Sequence, residues 1–279
     1  ARNVSSSDEN WKYISTYHYT PIVSGFLAGL DWVVDANENP RKLSLTDSGS
    51  RFNRPLNPIY RRMIDTADIV VQTCHPSDPD KYGKKTRFVR NGAVIPDNDP
   101  LIKYDSSSGH RMIVAGAKKG IQTILKAISL MDSPIPVDIY GGLSDVAIDL
   151  ISDLGISQYV ENKGRVKHSK IINNMSNYTI GLCITPQRQD FVYAHPLKVG
   201  EYMANGLIPV LSDFPGTRAM ARSAGKYTKP EPSALARSLE DIQNMKSKEI
   251  KHSMEESVSR AKDIDWKKER KWFAKQALY

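Results

Sequence analysis

The sequence of 279 residues predicts an α/β protein built on parallel sheets. Short apolar runs of strand length alternate with segments of helical periodicity along most of the chain, which is the pattern of repeated βαβ units. Hydrophobic residues make up 40% of the chain, and no apolar run reaches the roughly 18–20 residues of a membrane span. At roughly 100–200 residues per domain, the length predicts two domains.

Strands and helices alternate less clearly in the first part of the chain than in the second. Apolar or β-branched runs typical of strands occupy residues 13–18, 32–36, 67–73 and 87–90, and residues 59–66 have a helical pattern. A polar stretch follows, rich in Asp, Ser, Asn and Pro, and its composition predicts a linker. We therefore predict an N-terminal domain over residues 1–97, a linker over 98–110, and a C-terminal domain over 111–258.

The second part alternates clearly between strands and helices. Strands are predicted at 112–116, 136–142, 160–166, 179–186 and 208–212, and helices at 120–131, 145–155, 169–175, 198–205, 233–245 and 250–270. Gly155 stands where a left-handed residue would end the second of these helices. A basic segment over 259–279 closes the chain, and one interpretation of it is a solvated helix on which Trp266 and Phe273 pack inward.

Polar and glycine residues follow the predicted strands of the second part, where open parallel sheets bind their ligands. The loop Gly116 to Gly120 combines flexible glycines with Lys118 and Lys119 ahead of a helix, and this combination suits a diphosphate. It is neither a Walker A loop nor a GxGxxG loop, and a tight turn with solvated lysines explains it equally well.

Lys198 and Glu201 are three residues apart on a predicted helix and so share one face. Two interpretations stay open. The pair is a surface ion pair, or the helix start binds a phosphate while Glu201 accepts hydrogen bonds from a ribose diol.

A family resemblance rests on this segment. Residues 196–210 read Pro-x-Lys-x-x-Glu-Tyr-Met-Ala-x-Gly-x-x-Pro-Val, which resembles the donor-site motif of glycosyltransferase family 4 and related GT-B enzymes. Further pieces of the family pattern follow in the expected order at residues 67–73, 89–92, 119–127, 139–142, 160–166 and 171–182. The resemblance covers nearly all of residues 60–240.

The resemblance implies two Rossmann-like domains of the GT-B type, of which the N-terminal one is short or incomplete here. It implies transfer of a hexose from a nucleotide-diphosphate sugar, the co-substrate, to a saccharide or lipid-linked acceptor, with retention of configuration. No metal and no other cofactor is expected. It also implies that the helix within 259–279 returns toward the N-terminal domain.

The resemblance also assigns site residues. Glu201 would hold the ribose, Lys119 and Lys118 would neutralise the diphosphate, and the backbone of residues 196–198 would meet phosphate or sugar. Arg165 would lie near the base. The substrate-binding set is therefore Gly116, Lys118, Lys119, Gly141, Arg165, Pro196, Leu197, Lys198 and Glu201. His18 is a candidate catalytic contact to the transferred sugar, although a structural histidine explains it as well.

Three departures from the family pattern keep other functions open. Tyr193 stands where many members have a second Glu, and Ala117 replaces the Arg expected ahead of Lys119. Few strands precede the linker, so the chain is a fragment, a reduced domain, or one completed by a partner chain. The alternatives are a nucleotide-sugar-binding subunit or inactive remnant that needs a partner, and another GT-B enzyme such as a nucleotide-sugar epimerase.

The net charge of +8 suits a phosphorylated ligand or an anionic membrane surface. The sequence lacks nucleic-acid-binding motifs, so no nucleic-acid partner is expected. We predict a cytoplasmic protein with peripheral contact at the inner face of the membrane. Cys74 and Cys183 are far apart and resemble small apolar residues in or beside strands rather than a disulfide framework or zinc ligands.

Overall fold

The computed structural model describes residues 13–16, 32–36, 62–63, 65–73, 86–96, 102, 104, 107, 109–116 and 119–278. Among the residues singled out in the sequence, His18, Cys74, Ala117 and Lys118 lie outside the described residues. The chain divides into two compact units, one of residues 1–89 with 271–279 and one of residues 90–270.

The first unit contains a parallel sheet with the strand order β1-β2-β3-β4. These strands are β1 (Tyr13–Thr16), β2 (Trp32–Ala36), β3 (Ile69–Gln72) and β4 (Thr86–Phe88). Val70 and Val71 of β3 are buried, as expected for a strand flanked on both sides. The predicted strands of this part of the chain are confirmed, with β4 one residue earlier than the pattern indicated.

The second unit contains a parallel sheet with the strand order β10-β9-β8-β5-β6-β7. Its strands are β5 (Met112–Ala115), β6 (Val137–Tyr140), β7 (Val160–Gly164), β8 (Ile180–Cys183), β9 (Ile208–Ser212) and β10 (Lys226–Thr228). Both faces are covered by hydrophobic clusters, because successive side chains of a strand point to opposite faces. On β6, for example, Val137 and Ile139 belong to one cluster and Tyr140 to the other.

The helices follow the strands in the predicted alternation. They are α1 (Ile121–Leu130), α2 (Asp145–Asp153), α3 (His168–Asn174), α4 (Gln189–Val192), α5 (Leu197–Ala204), α6 (Pro215–Ala221), α7 (Pro232–Gln243), α8 (Ser247–Asp263) and α9 (Trp266–Leu278). The apolar residues that predicted α1 are buried along one face of it. Gly155 adopts the left-handed conformation after α2, with φ of 64°, as predicted.

The prediction of one helix over residues 250–270 is wrong. The helix breaks between α8 and α9, because the backbone there pairs with Ala93 instead of continuing the helical bonds. Ala93 N–H donates to the Ile264 carbonyl at 2.7 Å, and Trp266 N–H donates to the Ala93 carbonyl at 2.8 Å. Gly92 is required beside this crossing, since a Cβ there would lie 2.6 Å from Trp266 Cα.

The inward packing predicted for Trp266 is wrong as well, since this residue is 45% exposed. The buried position at the start of α9 belongs to Glu269, which is 6% exposed and lies 2.9 Å from the Arg90 guanidinium. A buried carboxylate requires such a partner. The side chain of Phe273 lies outside the described residues.

Candidate functional site

The order of strands in the second unit creates a crevice between β5 and β8. The chain runs outward from β5 to β6 and β7, then returns to β8 on the other side of β5. The two strands pair only through Met112 with Ile180 and Ile113 with Gly181, so they are unpaired toward their carboxyl ends. Ligands of open parallel sheets bind at such a switch point.

Tyr202 of α5 fills the gap between the two diverging strands. Its hydroxyl accepts a hydrogen bond from Ala115 N–H at 2.9 Å and donates one to the Leu182 carbonyl at 3.2 Å. Burial raises the pKa of this phenol, which keeps the donating proton in place. Gly181 makes room for the ring, since a Cβ there would lie 2.4 Å from Tyr202 Cγ. Through this residue, α5 is fixed to both strands that border the crevice.

The loop after β5 also meets the segment after β8. Gly120 has φ of 71°, and a Cβ there would lie 2.0 Å from the Ile184 carbonyl oxygen, so only glycine fits. On the other side of the loop, Lys198 Nζ donates to the Gly116 carbonyl at 3.4 Å. Gly116 itself has φ of 88°. The glycines and lysine singled out in the sequence are thus brought together at the switch point.

Positive charge collects at this crevice. The Lys119 ammonium lies 4.0 Å from the centre of the Phe191 ring, and the Arg188 guanidinium lies 5.2 Å from it, both within cation–π range. Cys183 ends β8 as a free, buried thiol whose pKa is raised by burial. The charges of Lys198 and Lys119 act in the opposite direction on the pKa of that thiol.

Glu201 lies one turn further along α5 than Lys198. Its Oε1 is 2.8 Å from His168 Nε2, and its side chain is 21% exposed. Lys198 contacts the Gly116 carbonyl and Glu201 contacts His168, so the two residues engage different partners although they share a helix face. An ion pair between them, one of the two open interpretations, is not the contact that either makes here.

A second group of glycines lies at the ends of β6 and β7. Gly141 N–H donates to the Gly164 carbonyl at 2.8 Å, and both glycines have positive φ. Gly142 follows, and a Cβ there would lie 3.3 Å from Arg165 Nε, so the guanidinium lies along the bare backbone. Arg165 is exposed and is therefore available to a ligand at this edge.

The structure brings most of the predicted site residues to one edge of a single sheet. Gly116, Lys119 and Lys198 meet at the crevice, while Gly141 and Arg165 follow the neighbouring strands β6 and β7. Pro196 caps the start of α5, and Leu197, its first residue, is exposed. Sequence reasoning missed His168 and Phe191. His168 follows the end of β7 closely, so the rule that singled out Arg165 would have found it, whereas no local pattern marks Phe191.

The described residues show neither a cluster of metal ligands nor a membrane-spanning helix. Within the described ranges, no three His, Cys, Asp or Glu side chains are grouped as metal ligands would be. No helix in that same part of the chain is both long enough and apolar enough to cross a bilayer.

A parallel sheet with cations beside a crevice at its switch point is the arrangement at which open α/β folds bind their ligands. Comparison with known proteins gives the family: residues 114–260 match the model of the glycosyl transferases group 1, which is more than half of the chain. The chain belongs to this family. Comparison with curated protein sequences found no match.

Solved structures share the fold at low sequence identity. The sucrose-phosphate synthase of Thermosynechococcus elongatus has a TM-score of 0.75 at 14% identity, over 95% of this chain and 72% of that one. Anabaena HepE in complex with UDP and glucose has a TM-score of 0.74 at 14% identity, over 94% and 77%. A glycosyltransferase of Rickettsia africae has a TM-score of 0.71 at 14% identity, over 95% and 76%. The fold is thus the α/β fold of GT-B glycosyltransferases.

Proposed function

We propose that the protein transfers a hexose from a nucleotide-diphosphate sugar to an acceptor, as a GT-B enzyme of the family 4 type. The observation that carries the proposal is that Lys198 contacts the loop after β5 while Glu201, on the same helix face, contacts His168 after β7, in the sheet that matches the family model. The Anabaena HepE structures in complex with UDP and with UDP-glucose support a nucleotide sugar as the donor.

The crevice would bind the diphosphate of the donor. The Lys119 and Lys198 ammonium groups supply positive charge beside the glycine loop, and the start of α5 adds the partial charge of a helix N-terminus. These groups are fixed before the ligand arrives, because Lys119 lies on the Phe191 ring and Lys198 on the Gly116 carbonyl. Fixed charges of this kind stabilise the departing diphosphate as its negative charge develops, which is the main chemical task of the reaction.

The nucleoside would lie along the strand ends beside the crevice. Glu201 has the chemistry to accept hydrogen bonds from the two ribose hydroxyls, since a carboxylate offers several acceptor sites in one plane. Arg165 and the Gly141–Gly142 backbone would border the base, where an exposed guanidinium stacks well on a ring. In this proposal, the base, the ribose and the diphosphate lie side by side along one edge of the sheet.

The remaining features of the proposal rest on the family resemblance. The first unit would bind a saccharide or lipid-linked acceptor, and configuration would be retained. Positioning and the lysine charges would carry the reaction without a metal ion. The enzyme would act at the cytoplasmic face of the membrane. A partner chain that completes the first unit belongs to the same proposal, as does His18 as a contact to the sugar.

Calorimetric titration with UDP, GDP and ADP tests the donor site. We expect one nucleotide to bind, and Glu201→Ala to weaken it by about tenfold, the loss of roughly 1.4 kcal/mol. Glu255→Ala is the matched control, because Glu255 is an exposed carboxylate on α8. Binding equal to that of the wild-type protein in Glu201→Ala would remove Glu201 from the site, and no binding of any nucleotide to the wild-type protein would refute the proposal.

Turnover separates the enzyme from the binding-subunit alternative, which Tyr193 at the position of the family's second Glu keeps open. Release of nucleoside diphosphate from the matching sugar donor, stimulated by an acceptor, is expected of the transferase. A binding subunit would bind the nucleotide sugar without releasing nucleoside diphosphate, or would release it only after a partner chain is added.

A further inference from the structure

We propose that His168 is a positioning residue for the ribose of the donor nucleotide, acting through Glu201. Its Nε2 lies 2.8 Å from Glu201 Oε1, so its N–H donates to the carboxylate. The two residues are 33 positions apart, on α3 and α5, and both lie at the edge of the sheet proposed to hold the nucleoside. The inference rests on the proposed function, because Glu201 must meet the ribose for its orientation to matter.

The helix that carries His168 has no fully buried residue, but Ile171 and Ile172 pack against a hydrophobic cluster and the segment after its C-terminal end is anchored. α3 runs directly into a short 3-10 helix whose first residue, Met175, is fully buried. Tyr178 follows, and its hydroxyl donates to Asp138 Oδ2 at 2.6 Å and lies 2.9 Å from the Tyr140 hydroxyl. Tyr140 is the last residue of β6, so the same buried bonds fix α3 and the strand end beside it.

The helix that carries Glu201 is anchored in the same hydrophobic cluster. Tyr202 and Met203 follow Glu201 directly and are fully buried there, together with Met175 and Tyr178 from the other side. The segments that carry His168 and Glu201 therefore pack against the same hydrophobic cluster. A functional side chain held by an anchored neighbour keeps the orientation that its ligand requires.

The contact leaves the carboxylate able to bind a diol. A carboxylate has about four acceptor sites, His168 occupies one on Oε1, and two vicinal hydroxyls need two more. His168 is 67% exposed, so the pair lies open to an incoming ligand. A pair this exposed contributes little to folding, so its removal is expected to change ligand binding and leave the melting temperature unchanged.

The test compares ribose with deoxyribose. UDP and 2′-deoxyUDP, or the corresponding GDP or ADP pair if that base is the one bound, are titrated into the wild-type protein and into His168→Ala, His168→Gln and Glu201→Ala. His168→Gln keeps an N–H donor on a side chain of similar length. His252→Ala is the matched control, since His252 is an exposed histidine on α8.

We expect His168→Ala to weaken the ribonucleotide by about three- to tenfold and the 2′-deoxynucleotide by clearly less, because the deoxynucleotide keeps only one of the two hydroxyls that Glu201 would bind. His168→Gln should restore most of the preference for ribose, and His252→Ala should match the wild-type protein. An unchanged ribose preference in His168→Ala overturns the inference, as does an equal weakening of both nucleotides or tighter binding of the ribonucleotide.

The two proposals fail in different ways. No nucleotide binding to the wild-type protein refutes the proposed function, and the inference with it. Loss of the ribose preference in Glu201→Ala, together with its retention in His168→Ala, keeps Glu201 as the ribose ligand and refutes the role of His168 alone.

Discussion

The Tyr202 hydroxyl joins the two strands that border the crevice, and Tyr202→Phe removes it without changing the packing of the ring. The hydroxyl is the acceptor for Ala115 N–H and the donor to the Leu182 carbonyl. β5 and β8 pair with each other only nearer their amino ends, and these two bonds connect the strands toward their carboxyl ends.

The cost of the substitution follows from those two bonds. A buried N–H left without an acceptor costs about 1–3 kcal/mol, and the lost bond to the carbonyl adds about 0.5–1.5 kcal/mol. We therefore expect Tyr202→Phe to lower the free energy of unfolding by about 2–4 kcal/mol. At roughly 2–4 °C per kcal/mol for a unit of this size, the melting temperature falls by about 4–16 °C.

Thermal unfolding followed by circular dichroism measures the effect, and Tyr227→Phe is its control. The Tyr227 ring is partly buried, but its hydrogen bond to the Arg222 carbonyl is exposed to solvent, so water replaces the lost bond and a change below about 1 kcal/mol is expected. Nucleotide titration of Tyr202→Phe should also show weaker binding, because the end of β5 carries the glycine loop. Equal melting temperatures for the two variants would refute the structural role assigned to Tyr202.

Two further predictions concern backbone conformation and alkaline pH. Gly120→Ala should destabilise the protein by at least about 2 kcal/mol more than Gly155→Ala, since both positions have positive φ but only the first would place its Cβ against a backbone carbonyl, that of Ile184. Urea unfolding of the two variants measures this difference. Above a pH of about 10, the free energy of unfolding should fall as the pH rises. Burial raises the pKa of the Tyr202 phenol, and it raises the pKa of Tyr227 to about 12.

The sign of the pH effect follows from proton binding. Below the unfolded pKa of about 10 the phenols are protonated in both states, whereas above it the unfolded chain releases protons that the folded protein retains. The free energy of unfolding therefore decreases as the pH rises, until the pH reaches the pKa of the phenol in the folded protein. Urea midpoints between about pH 8 and pH 11 test this, with Tyr227→Phe expected to give a shallower decline. A midpoint that stays constant over that range would contradict the assigned burial, and equal stabilities of Gly120→Ala and Gly155→Ala would contradict the close approach to Ile184.

Local patterns in the sequence predicted most of the secondary structure, because periodicity is a property of neighbouring residues. The apolar spacing of α1 and the glycine after α2 gave both helices nearly to the residue. The break between α8 and α9 was missed, since it depends on Ala93, which is more than 160 residues away in the chain. The burial of Glu269 was not predicted for a similar reason, because its partner Arg90 is also far away in the chain.

The candidate site was likewise predicted only in part from the sequence. The sequence by itself determined that glycines, lysines and Glu201 follow strands and begin helices, since each of these features is set within a few residues. Only the tertiary structure decided that the strand after β7 returns beside β5, which joins Lys198 to Gly116 and Tyr202 to Ala115. The same return of the chain places His168 against Glu201. Strand order is a property of the packed sheet, in which burial of both faces selects one arrangement, and no local periodicity records it.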